Sequence, residues 1–184
     1  MTNTNVKQQL SIKAQFIAAF VAIVGAIALP QLFHIVGRAF GLGTSLGEIF
    51  LPMHLPVIMV GIFAGPYVGA IVGIASPIIS TLLTGMPKEI MLPFMVVELF
   101  AYGLSAGLLR NTTMPTLAKV VIAQVTGRVL RAMALAVSIY LIGNTSIAIS
   151  TVWTSIPTGL IGIALQIAII PLVVNKLESK QNNA

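Results

Sequence analysis

Residues 49–87, IFLPMHLPVIMVGIFAGPYVGAIVGIASPIISTLLTGMP, run for 39 positions without a charged side chain. A helix needs about 20 apolar residues to cross the hydrocarbon core of a bilayer, so this run is too long for one crossing. Gly65 and Pro66 interrupt it near the middle, and such a pair is typical of a turn. The run therefore predicts two membrane helices, residues 52–64 and 67–83. The first is short, and we expect it to tilt, to kink at Pro56 or to begin in a partly buried loop.

The rest of the chain continues this pattern. Charged side chains are costly in hydrocarbon, so uncharged runs mark membrane spans, and they predict four more helices at residues 14–33, 90–109, 117–142 and 157–174. The composition is 57% hydrophobic and 8% charged, whereas a soluble domain carries about 25% charged residues. The predicted fold is an all-α membrane protein, one domain over residues 1–184 with six transmembrane helices. Such a bundle leaves no room for a separate catalytic or nucleotide-binding domain.

The basic residues indicate the orientation of the bundle. Six spans place both termini on one side, and we predict that this side is cytoplasmic because basic residues concentrate in cytoplasmic loops. The inner side then holds Lys7, Lys13, Arg110, Lys119, Lys176 and Lys180, and the outer loops hold only Arg38 and Lys88. We therefore attribute the net charge of +6 to topology and expect no nucleic acid partner.

The first span also imitates a signal peptide. Lys7 and Lys13 precede an apolar run that ends in small residues at Ala26, Ile27 and Ala28, a pattern typical of a cleavage site. Because five more spans follow, we expect the segment to be retained. A measured mass lacking the first 28 residues would contradict this.

Three ionisable residues are predicted within the membrane. From the expected helix ends, Glu98 lies about 12 Å below the outer surface, and Arg128 and Arg131 lie about 16 and 21 Å above the inner one. Residue spacing puts Gln124, Arg128, Arg131 and Ser138 on one helix face, and Glu98, Tyr102 and Ser105 on another. A purely structural ion pair between Glu98 and Arg128 is one interpretation. However, one glutamate cannot neutralise two arginines, and an anionic ligand such as a carboxylate would balance the second.

The predicted outer loops are long enough to form a lid over a ligand. His54 stands between prolines at the start of the second span, and Asn144 and the only tryptophan, Trp153, lie in the loop before the last span. We include all three as candidate substrate contacts. The alternatives are that Trp153 anchors the membrane interface and that His54 is a buried structural group.

Alanine recurs at every fourth position of the first span, at Ala14, Ala18, Ala22 and Ala26. Residues four apart share a helix face, so these alanines allow another helix to approach closely. The stripe predicts either internal packing or a docking face for a separate membrane subunit.

The sequence lacks the usual enzymatic motifs. It contains no Walker lysine loop, no His-Glu-x-x-His pair, no Gly-x-Ser-x-Gly elbow, no aspartate and no cysteine. Since these clusters carry phosphoryl transfer, zinc and acyl-transfer chemistry, we predict neither an enzyme nor a metal site.

The six short spans, the alanine stripe, the long first outer loop and residues 55–80 (LPVIMVGIFAGPYVGAIVGIASPIIS) together resemble the substrate-binding S component of energy-coupling factor (ECF) vitamin transporters. The resemblance implies a subunit of the prokaryotic plasma membrane that captures a vitamin with high affinity on the outer side. It also implies that Ala14, Ala18, Ala22 and Ala26 dock on a transmembrane T component. Two cytoplasmic ATPases, which use ATP and Mg, would power transport, and this chain itself would hold no cofactor.

The resemblance also suggests a substrate and a site. Residues 53–56, MHLP, are most similar to the pantothenate branch, while hydroxymethylpyrimidine, pyridoxine and cobalamin remain alternatives. The predicted site combines Glu98, Tyr102, Gln124, Arg128, Arg131 and Asn144 with His54 and Trp153. A rival hypothesis is a free-standing transporter that couples to protons through Glu98 and self-associates through the alanine stripe.

Overall fold

The computed structural model describes residues 10–147, 150–151 and 157–182, with side chains described as far as Leu177. Within these residues the chain forms helices and no strand. The helices are α1 (Ile12–Ala39), α2 (Ser45–Phe50), α3 (His54–Ala64), α4 (Pro66–Thr84), α5 (Leu92–Leu108), α6 (Thr116–Ala136) with a π-helical extension (Val137–Leu141), and α7 (Leu160–Asn182). The predicted all-helical fold is confirmed.

The distribution of polarity agrees with a membrane protein. Among the described residues, five segments are long and apolar enough to cross a bilayer, namely α1, α2 with α3, α4, α6 with its extension, and α7 as far as Leu177. The sixth, α5, is apolar but has only 17 residues. Phe16 and Phe20 point outward and are 73% and 69% exposed, whereas Glu98 and Ser76 are fully buried. Apolar groups outside and polar groups inside are the arrangement that hydrocarbon favours.

Several helix ends differ from the sequence prediction. Helix α1 continues through Pro30 to Ala39 instead of ending at residue 33. The predicted span 52–64 corresponds to α3, which begins at His54. A separate short helix that was not predicted, α2, precedes it and is linked to it by a left-handed turn at Leu51. Helix α7 begins at Leu160 and extends to Asn182, beyond the predicted end at 174. Each difference lies in a polar or irregular segment at an end of the bundle. The spacing of charged residues does not predict where a helix ends in such segments.

Glycines allow α4 and α5 to pack backbone to backbone. A Cβ atom added at Gly69 or Gly103 would overlap the main chain of the other, and one at Gly73 would overlap the main chain at Leu99. At Gly65, φ is +98°, a conformation that glycine adopts more readily than other residues. This residue turns the chain directly from α3 into α4. The Gly-Pro turn predicted from the sequence therefore joins α3 directly to α4, and both helices pack against α5.

We predict that Gly103→Val disrupts this packing. The added side chain would meet the Gly69 carbonyl, and overpacking of this kind costs up to about 3 kcal/mol. A lower thermal transition in detergent, followed by the loss of monodisperse protein, measures the effect. Gly25→Ala is the matched control because its Cβ would lie 3.5 Å from Pro56, an ordinary contact. Equal melting of the two variants would contradict the close approach.

The helix directions separate the molecule into two ends. At one end α1, α4 and α6 finish and α3 and α5 begin, and the described charges there are Arg38, Glu48, Lys88 and Glu89. At the other end α1, α4 and α6 begin, and the charged residues with described side chains are Lys13, Arg110, Lys119 and Lys176. The first end contains the cavity described below.

Candidate functional site

A cavity of about 420 Å³ opens at the first end of the bundle. Its lining comes from the end of α1, helix α2, the start of α3, the end of α4, the loop between α4 and α5, the start of α5, and the second half of α6. Thr151 and Thr158, which precede α7, also contribute. The volume falls within the range of about 300–1,000 Å³ that is typical of small-molecule sites.

Glu98 is the centre of a charged cluster behind this cavity. Its side chain is 0% exposed, and each carboxylate oxygen contacts one arginine of α6. Arg131 Nη1 lies 2.6 Å from Oε2, and Arg128 Nη1 lies 3.3 Å from Oε1. Since Tyr102 also donates its hydroxyl hydrogen to Oε1 at 3.0 Å, the carboxylate has a hydrogen-bond donor or a cation on both oxygens.

The cluster contains more positive than negative charge. Arg128 and Arg131 both line the cavity, and both pair with the single carboxylate of Glu98. Arg128 Nε and Nη2 and Arg131 Nε are buried without a hydrogen-bond partner. Buried donors normally have a partner, and a guanidinium favours a planar oxyanion. The cluster therefore carries one uncompensated positive charge, and the other two charged residues of the lining, Lys88 and Glu48, are of opposite sign.

Glycine at position 159 leaves room for one of these guanidinium groups. A Cβ there would overlap Arg128 Nη2 and would lie 2.8 Å from Leu51 Cδ1. A larger residue at 159 would displace the arginine from its place beside Glu98. The segment before α7 thus helps to set the position of Arg128.

His54 lies at the cavity wall between the charged cluster and the Leu51 turn. Its Nδ1 lies 3.2 Å from the Leu51 carbonyl oxygen, and this contact is a hydrogen bond when Nδ1 carries the proton. Its Nε2 lies 3.6 Å from Glu98 Oε1 and has no hydrogen-bond partner. The ring also packs against Tyr102, with 5.1 Å between ring centroids. These contacts fix the orientation of His54 at the cavity wall.

The Leu51 turn is held from the other side by two glutamines. Leu51 has φ +49°, which is uncommon for a residue other than glycine. Its carbonyl oxygen accepts hydrogen bonds from the His54 backbone N–H and from Gln166 Nε2, both at 3.1 Å. Gln124 in turn donates to Gln166 Oε1 at 3.1 Å. Gln124 therefore supports the cavity through Gln166 and does not line it.

The loop residues predicted from the sequence lie in different places. Asn144 follows the π-helical extension, donates to the Ser138 side chain at 3.2 Å and accepts from the Ser146 backbone at 3.0 Å. It does not line the cavity. Trp153 lies outside the described residues.

Comparison with protein families decides the identity at the family level. Residues 9–174 match the family described as the substrate-specific component of ECF transporters. The chain belongs to this family. Comparisons with curated proteins and with solved structures found no match. As an S component it is a membrane transport subunit rather than an enzyme, and family membership implies a T component and ATPases as partners and a small molecule as substrate.

The alanine stripe of this S component faces the bundle. Ala26 and Ala22 are 0% and 7% exposed and belong to the main hydrophobic core, and Ala18 is partly buried against that core. Only the N-terminal part, with Ala14 half-buried, lies towards the surface. In this conformation, internal packing accounts for Ala22 and Ala26, and docking through the stripe stays a prediction.

Sequence reasoning missed a second set of cavity residues in the S component. Four of the eight methionines line the cavity: Met53, Met86, Met91 and Met95. The i, i+4 spacing of Met91 and Met95 was the available signal, but such spacing is also found in ordinary core helices. Within the described residues, no cluster of three or more His, Cys, Asp or Glu side chains could hold a metal ion.

Proposed function

We propose that this S component captures a small monocarboxylate in the cavity at the first end of the bundle, with pantothenate as the first candidate. One observation carries the proposal: two guanidinium groups line the cavity and share a single buried carboxylate. A bound carboxylate would neutralise the remaining charge by pairing with a guanidinium group. The four methionines and the threonines would contact the rest of the molecule.

The residues of the cluster have different proposed roles. Arg131 and Arg128 bind the carboxylate, and His54 contacts the substrate beside them. Glu98 and Tyr102 hold the arginines in place, because Glu98 is fully buried and neither residue lines the cavity. Gln124 acts indirectly through the Leu51 turn. Asn144 and Trp153 remain proposed substrate contacts from the last loop.

We further propose that the cavity end faces outward and that both termini are cytoplasmic. The charge distribution supports this orientation, because the other end carries the basic residues Lys13, Arg110, Lys119 and Lys176, whereas the basic residues of the cavity end loops are Arg38 and Lys88. Basic residues are enriched on the cytoplasmic side of membrane proteins. Transport inward would then depend on the T component, docked through the stripe that begins at Ala14, and on ATP and Mg in the ATPases.

The cavity favours pantothenate over the other vitamins considered. Hydroxymethylpyrimidine and pyridoxine carry no carboxylate and would leave the arginine charge uncompensated. Cobalamin is a much larger molecule than a cavity of about 420 Å³ encloses. Pantothenate joins a carboxylate to an amide, two hydroxyls and a branched aliphatic group, for which the arginines, threonines and methionines of the lining are the proposed contacts.

Titration calorimetry of the purified protein against pantothenate and panthenol tests this proposal. Panthenol is the alcohol that corresponds to pantothenate, so the pair differs in the charged group alone. We expect pantothenate to bind about 100-fold more tightly, because losing the charge-assisted hydrogen bonds costs about 3 kcal/mol. Equal binding of panthenol, or preferential binding of hydroxymethylpyrimidine or pyridoxine, would contradict the carboxylate site.

A further inference from the structure

The cavity has a second chemical character, which comes from different helices than the arginines. Met53 and Met91 are the N-cap residues of α3 and α5, Met95 lies in the first turn of α5, and Met86 lies in the loop between α4 and α5. We call these four residues the thioether wall. Arg128 and Arg131, by contrast, come from α6. The cavity therefore combines a cationic side with an apolar, sulfur-containing side.

The thioether wall packs against the hydrophobic core on one side and presents flexible side chains to the cavity on the other. Met53 is 4% exposed and belongs to the main core. Met95 packs against that core, and Met91 packs against a second cluster that contains Phe94, Leu135 and Ile147. Methionine side chains have three rotatable bonds and a polarizable sulfur, so they adjust to different apolar shapes. An anchored wall of such side chains can keep its position while changing its surface.

We propose that the thioether wall binds the apolar part of the same carboxylate substrate and accepts a range of shapes there. This inference rests on the proposed function, since it assigns the second half of a ligand whose carboxylate is held by the arginines. Recognition would then be strict for the charge and permissive for the apolar group. For pantothenate, the branched pantoyl half would lie on the wall and the β-alanine carboxylate on the arginines.

A series of N-acyl-β-alanines tests the permissive side. These compounds keep the carboxylate and change the acyl group from acetyl to pivaloyl to pantoyl, and calorimetry gives the affinity of each. We expect the two branched acyl groups to bind within about tenfold of one another and the acetyl compound to bind at least about tenfold more weakly than the weaker of the two, because it buries less apolar surface. Affinity that is the same for all three compounds, or that is confined to the pantoyl compound, would overturn the inference.

Methyl NMR locates the contact directly. Protein labelled with ¹³C at the methionine methyl groups is titrated with pantothenate in detergent micelles, with resonances assigned through Met→Leu variants. We expect the methyl signals of the thioether wall to shift. The signals of Met114 and Met133, which are 44% and 57% exposed and do not line the cavity, are the internal control and should stay in place.

A matched pair of variants separates shape from polarity. Met95→Leu keeps an apolar side chain of similar volume and should bind pantothenate within about threefold of the wild type. Met95→Gln places a polar amide on the wall and should bind about tenfold more weakly. Pantothenate binding with unshifted wall methyls, or equal affinity of the two variants, would overturn the inference and leave the arginine site intact. Failure of every carboxylate to bind would overturn the proposed function as well.

Discussion

Arg131→Met is expected to abolish carboxylate binding while the protein stays folded. Removing Arg131 leaves Glu98 paired with Arg128, whose Nη1 lies 3.3 Å from Oε1. The cluster then has no net charge, and the other charged residues of the lining, Lys88 and Glu48, are of opposite sign. A bound carboxylate would therefore find no surplus cation to neutralise it. An unpaired ion in this setting is strongly unfavourable, and we expect the affinity for pantothenate to fall at least about 100-fold.

The control for this variant is Arg38→Met. Arg38 also lies at the cavity end, but it is exposed and does not line the cavity. It should retain the wild-type affinity, and both variants should elute as monodisperse protein with a thermal transition close to that of the wild type. Wild-type affinity in Arg131→Met, measured by calorimetry, would eliminate the charge argument. Weak binding in both variants would show that general surface charge attracts the ligand.

Glu98→Gln is expected to destabilise the bundle more than any other single change to the cluster. The substitution leaves the charges of Arg128 and Arg131 without a counterion in a buried site. Breaking a buried ion pair from one side costs about 3–5 kcal/mol. We expect a clear fall in the thermal transition in detergent and a larger ligand-induced rise than in the wild type, because a carboxylate ligand would replace the lost anion.

Two further variants make this prediction specific. Glu89→Gln changes an exposed glutamate in the loop before α5 and should leave the thermal transition unchanged. The double variant Glu98→Gln, Arg131→Met removes one charge of each sign, and it should be more stable than Glu98→Gln alone. Additive effects in this double-mutant cycle would contradict the direct coupling of the two side chains.

The sequence predicted the charged cluster for a clear physical reason. Charges within an apolar helix must find partners, so Glu98 and the two arginines could be placed near one another from helix spacing and depth alone. The structure pairs Glu98 with both arginines, whereas the structural alternative considered only Arg128. Tyr102 was placed on the correct face, and its contact with the carboxylate follows from its position one turn after Glu98.

Other parts of the site could not be predicted. The spacing of residues shows which of them share a helix face, but it does not show which helix packs against that face. Gln124 lies one turn before Arg128, but its amide reaches Gln166 of α7. The left-handed turn at Leu51 leaves no sequence signal, since leucine seldom adopts this conformation. The thioether wall could not be predicted because methionine fills gaps in ordinary hydrophobic cores as well as in binding sites. Only the three-dimensional structure shows which of these side chains reach the cavity.

The most direct test of the carboxylate site is mass spectrometry of the small molecule that remains bound during purification. Wild-type protein and Arg131→Met are purified in parallel, and the compounds released by denaturation are compared. A monocarboxylate that is released from the wild type and absent from Arg131→Met would agree with the arginine site. A neutral or cationic compound released in equal amounts from both proteins would contradict it.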